Sequence, residues 1–129
     1  MWLLLACASP APDDTAAPTR PDPVVGPATP VVPGDVLPPE VVLQAANNNL
    51  DVAEFEGATW LAFRTAPDHF ASAQATLHVM SDDGSGWVWR GSFTEGTDVR
   101  EPRLLAWEGQ LWFAYAVLGS DPLAFEPQG

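Results

Sequence analysis

Three carboxylates and three arginines stand out as residues able to do chemistry. Asp68, Asp98 and Glu101 are candidates for general acid and base work, since such chemistry needs carboxyl groups whose protonation states can differ. Arg64, Arg100 and Arg103 are candidates for substrate binding, because a planar guanidinium grips a carboxylate through two parallel hydrogen bonds. His69 follows Asp68 and precedes Phe70, a string that places a hydrogen-bonding ring beside an aromatic face of the kind that stacks on sugars. Each has a plainer reading. An Asp on a loop caps a turn, His69 fastens its loop, and Arg64 pairs with a carboxylate to tie one loop to the next. His78 lies mid-strand and reads as packed or solvated rather than as a ligand. No His, Cys or carboxylate cluster has metal-ligand spacing, so neither a metal nor another cofactor is expected.

Positioning these residues falls to short strands. The pattern predicts strands at Leu50–Phe55, Thr59–Arg64, Ala75–Ser81, Trp87–Phe93, Arg103–Trp107 and Leu111–Val117, with bends at Glu56-Gly57, Asp83-Gly84 and Glu108-Gly109. No stretch carries a helical period. In an antiparallel meander alternate turns share an end, so Arg64, the loop Thr65–Gln74, the crossover Thr94–Pro102 and the opening residues Asn47–Asp51 are expected together. The turn at Ser81–Trp87 then lies at the other end.

The first hairpin recurs. Phe55-Glu56-Gly57-Ala58-Thr59-Trp60-Leu61-Ala62-Phe63 matches Trp107-Glu108-Gly109-Gln110-Leu111-Trp112-Phe113-Ala114-Tyr115 at a constant offset of 52. The second copy has Ala116 where the first has Arg64, so the repeat itself does not require arginine there. Tyr115 matches Phe63 and therefore reads as core rather than as a nucleophile. Four strands repeating at a period near fifty are the signature of a β-propeller blade. About one and a half blades are visible in residues 45–129. Blades bury their faces only against neighbours. The expectation is therefore a fragment completed by missing blades of the same protein, with assembly from several chains as the alternative.

The turn Ser81-Asp82-Asp83-Gly84-Ser85-Gly86-Trp87 resembles the Asp-box of sialidase-like propellers through Ser81, Asp83, Gly84 and Trp87. The strings Trp60-Leu61-Ala62-Phe63-Arg64 and Asp98-Val99-Arg100-Glu101-Pro102-Arg103-Leu104 are similar to segments of the same family. The resemblance implies an all-β fold: one antiparallel four-stranded blade and part of a second. It gives the box a structural role, with the Asp carboxylate accepting N–H bonds across the hairpin and Trp packed between sheets. It also implies glycoside hydrolysis, in which an arginine set holds the substrate carboxylate and a Tyr–Glu couple replaces the usual nucleophile. The implied partner is a glycan or glycoconjugate. The alternative function is a non-catalytic propeller that binds carbohydrate or protein at the cell surface.

Composition bounds the rest. The chain has 129 residues, 17 acidic against 5 basic side chains, and a formal net charge of −12. Every cation is Arg. Nucleic acid is excluded as a partner, because phosphate backbones are bound by clustered Lys and Arg. The run Leu4-Leu5-Ala6-Cys7 resembles the lipobox of bacterial lipoproteins, which implies a signal-peptide-like segment over 1–6, lipidation of Cys7, membrane attachment through that lipid, and an envelope location or secretion. Residues 7–44 hold ten of the fourteen prolines and read as a disordered tether.

Overall fold

The computed structural model describes residues 26–121. Segment 1–6 and Cys7 lie outside them. Among the described residues all regular structure is β: β1 (Ala46–Phe55), β2 (Ala58–Ala66), β3 (Thr76–Asp82), β4 (Val88–Phe93), β5 (Asp98–Trp107) and β6 (Gln110–Leu118). The first four form an antiparallel meander in the order β1-β2-β3-β4, and β5-β6 make a separate two-stranded sheet. The two hairpins match at the offset of 52. Both turn on a Glu-Gly pair with positive φ at each residue, 51° and 77° at Glu56-Gly57 and 50° and 71° at Glu108-Gly109. That geometry is the type I′ turn, whose twist suits a two-residue hairpin.

Strands β1 and β5 begin earlier than the hydrophobic pattern predicts, and for one reason. Register shifts interrupt the ladder at Asn48/Leu50 and at Arg100/Arg103. Asn49 and Glu101, again 52 apart, sit in these irregularities with φ of 44° and 52°. A bulge breaks the period-2 alternation, so a pattern search stops where the strand continues.

The four-stranded sheet is covered on one face and in part on the other. On one face Ala62, Val79 and Leu104 are buried with Trp60, Phe93, Leu111 and Phe113, while Ala66, Ala75, Leu77 and Val99 form a second cluster beside Tyr115. The hairpin β5-β6 supplies that cover. On the opposite face Leu61, Phe63 and Met80 bury Val41, flanked by Val31, Val32, Leu37, Leu43 and Trp87. The tether expected over 7–44 is therefore corrected for its last part: residues 31–44 lie across the sheet as a strap. Gln44 N–H donates to Thr65 Oγ1 at 2.6 Å, and Gln44 Nε2 donates to Gln74 O at 2.7 Å. Proline-rich sequence suits a strap without a ladder, because prolines need no partner for a missing N–H and have little chain entropy left to lose.

His78 is buried under the strap, its ring 5.5 Å from that of Phe63 and its Nδ1 2.8 Å from Ser92 Oγ. Burial holds its pKa below the ordinary 6.5, against the opposing effect of the Val42 carbonyl. On acidification the unfolded chain therefore takes up the proton first. The contribution of neutral His78 is complete above about 6.5 and is lost as the pH falls through and below that value. Urea unfolding at stepped pH should show this slope, and His78→Phe should flatten it relative to the parent chain.

Candidate functional site

The loop end expected to gather the charged residues does gather them, and Arg64 lies at its centre. Alternation along β2 turns Arg64 to the same face as Ala62 and Ala66, where β5 covers it completely. Its Nε donates to Val99 O at 3.1 Å. Nη1 donates to Asn48 Oδ1 at 3.4 Å and Asp68 O at 3.3 Å, and Nη2 donates to Phe70 O at 2.9 Å and Asp98 Oδ1 at 2.7 Å. Every N–H of the guanidinium is thereby used inside the protein.

Asp98 is equally buried. It accepts from Arg64, from Ser72 N at 3.2 Å and, through Oδ2, from Arg100 Nε. With no exposed surface it cannot reach a glycosidic oxygen, so the expectation of catalysis at Asp98 gives way to a structural one. Substrate gripping by Arg64 gives way for the same reason. Arg64 and Asp98 form a clamp: strand β2 and loop 68–72 are held to the start of β5 by one buried ion pair and its hydrogen bonds. Arg100, on the far side of Asp98, extends the pair.

The remaining candidates face solvent around this clamp. Asp68 Oδ1 accepts from Phe70 N at 2.9 Å, the turn-capping role of a loop aspartate. That turn projects Phe70, which is 56% exposed. His69 Nδ1 lies 2.8 Å from Asn48 Nδ2, so the amide donates to the ring and the proton of a neutral imidazole sits on Nε2. Glu101 accepts from Asn49 and lies 3.5 Å from Arg103 Nη2, an exposed pair. The two bulge residues are thus bonded side chain to side chain. Below them Asp51 Oδ2 accepts from Leu104 N at 2.8 Å, which ties β1 to β5.

At the opposite end the turn 81–87 differs in detail from its expected chemistry. Asp82, not Asp83, spans the turn: its Oδ1 accepts from Gly84 N at 2.7 Å and Gly86 N at 3.0 Å. Asp83 bonds only Ser85, through Oγ and N, and these bonds hold its carboxyl below the ordinary carboxylate range. Gly84 has φ of 95° and supplies the left-handed step. Ser81 is buried and accepts from Arg90 Nε at 2.9 Å. Trp87 does not pack between the two sheets but against the strap-covered face with Leu61, Phe63 and Met80. The spacing Asp82-x-Gly84-x-Gly86 was the available signal for the spanning aspartate, since an Asx turn joins residues two apart.

Sequence reasoning missed two further contacts. Arg90 stacks over Trp60 at 5.3 Å, on the wall of a crevice of about 320 Å³ between the sheets, and nothing in spacing marks the pair. Tyr115 Oη donates to Glu95 Oε1 at 2.6 Å, a bond that, with partial burial, raises the phenol pKa. The ring packs at 5.4 Å from Phe113 and 6.0 Å from Phe93, as its match to Phe63 implies. Among the described residues no three His, Cys, Asp or Glu side chains are placed to hold a metal ion. Comparison of the chain with protein-family models, with curated proteins and with solved structures finds no match to any of them.

Proposed function

We propose that the chain is a sialidase-like propeller segment that binds glycans at a cell surface without cleaving them. One observation carries this reading: the buried Arg64–Asp98 clamp uses up the central charges internally, while the loop it holds presents exposed Phe70 next to His69 in the chain. An aromatic face stacks on the apolar side of a sugar ring. His69, Asn48, Asn49, Glu101 and Arg103 offer donors and acceptors for its hydroxyls. The lipid expected at Cys7 would hold the module at the envelope, with strap and hairpins outside the bilayer.

Calorimetric titration with neutral and sialylated oligosaccharides tests this. Binding is expected, and Phe70→Ala should weaken it about tenfold, the equivalent of ~1.4 kcal/mol. Phe70 is exposed, so the variant should fold normally. Absence of binding to either glycan class would overturn the reading.

Hydrolysis is the second reading, and the Tyr115–Glu95 bond favours it, because the resemblance implies a Tyr–Glu couple as nucleophile. Against it, Glu95 holds the proton on the phenol, and Tyr115 packs among Phe93 and Phe113. Release of fluorophore from fluorogenic sialosides or arabinosides, abolished by Tyr115→Phe, would replace binding by catalysis.

A further inference from the structure

Each hairpin has two faces, and the repeat relates them. In the first hairpin the face bearing Ala53, Trp60 and Ala62 is covered by Leu104, Leu111 and Phe113 of the second. Shifted by 52, the covered face becomes Leu105, Trp112 and Ala114, continued by Trp107. Here it is bare: Leu105 is 58% exposed, Trp107 58% and Trp112 53%. Shifted back by 52, the covering residues become Val52, Thr59 and Leu61. These line an apolar groove of about 410 Å³ between β1-β2 and the strap, with Leu50 and Val52 exposed in it. Among the described residues, then, one hairpin-on-hairpin interface is made internally and both halves of the same interface stay unfilled on the outer surfaces.

We propose that copies of this chain associate head to tail, the bare face of β5-β6 in one copy seated in the Leu50–Val52–Leu61–Phe63 groove of the next. A second copy is the occupant because it brings the surface that already fits this kind of face within the chain. Two tryptophans supply the anchor, each able to bury about 150–250 Å². The contact is heterologous, so successive copies either close a ring or extend a row. A net charge of −12 opposes the approach of like copies. Association should therefore strengthen with salt, as screening removes the repulsion and leaves apolar burial.

Sedimentation velocity of the full chain over a concentration series, at low and high salt, reads this directly. The parent chain is expected to form species larger than one copy, more so at high salt. Trp112→Glu and Val52→Glu each remove one half of the contact, and each alone should sediment as a single copy. Mixed together they should form a one-to-one pair, because each keeps the half that the other lacks. Circular dichroism checks that both variants fold, and Leu105→Glu substitutes for Trp112→Glu if that variant does not. A parent chain that stays single at every concentration and salt overturns the proposal. So does association that survives Val52→Glu but not Trp112→Glu, which marks two bare faces meeting symmetrically. Phe70→Ala should leave sedimentation unchanged, so failure here and failure of glycan binding are separate results.

Discussion

Asp98→Ala is expected to destabilise the fold by about 3–5 kcal/mol, the usual cost of removing one partner from a buried ion pair. The substitution leaves three donors without their acceptor at once: Arg64 Nη2, Ser72 N and Arg100 Nε. Arg64 then stays buried with its charge uncompensated. The main cost comes from that stranded charge rather than from lost attraction. Asp98→Asn keeps the shape and one acceptor oxygen, so it should lose less. Glu101→Ala removes only exposed contacts, the pair with Arg103 and the hydrogen bond from Asn49, and should cost no more than about 1 kcal/mol. Urea unfolding of the three variants measures the order. If Asp98→Ala keeps the parent midpoint but abolishes glycan binding, Asp98 belongs to the binding surface and the clamp assignment fails.

The particulars of this cluster show what sequence could convey. Strand alternation placed Arg64 at the end of β2 and the loops 65–74 and 94–102 at the same end, and the contact of Arg64 with Asp98 and loop 68–72 follows from that placement. The absence of arginine at Ala116 showed that the hairpin does not need one. Whether Arg64 faces a ligand or the protein was not legible, because that depends on β5 crossing the sheet, and no local pattern reports which face a later hairpin covers. Both hairpins were legible down to their Glu-Gly turns. Their bulges were not, since Asn49 and Glu101 look like ordinary polar interruptions until the ladder is drawn. In the turn 81–87 the family pattern pointed to Asp83, whereas the glycine spacing alone suits Asp82. The strap was the largest misreading. Composition averaged over residues 7–44 hid the short Val41-Val42-Leu43 run behind the prolines, although one well-placed aliphatic side chain is enough to dock a pre-stiffened segment.

The strap gives the second large effect. Val41 is 8% exposed and packs with Leu61, Phe63 and Met80, whereas its neighbour Val42 is 70% exposed. Val41→Asp would bury a carboxylate in an apolar cluster or pull the strap off the sheet. Either route should cost at least about 2 kcal/mol. Val42→Asp is the control and should stay within about 0.5 kcal/mol of the parent. Thermal unfolding measures both, and limited proteolysis separates the routes: detachment should make residues 31–44 cleavable while the hairpins persist. Equal behaviour of the two variants would restore the tether reading for the whole of 7–44. A detached strap should also uncover the rest of the face whose open part is the Leu50–Val52 groove. By the repeat, that face corresponds to the surface of β5-β6 that packs on the first sheet. Val41→Asp is therefore expected to raise head-to-tail association while it lowers stability, a pair of opposite changes that general unfolding does not produce together.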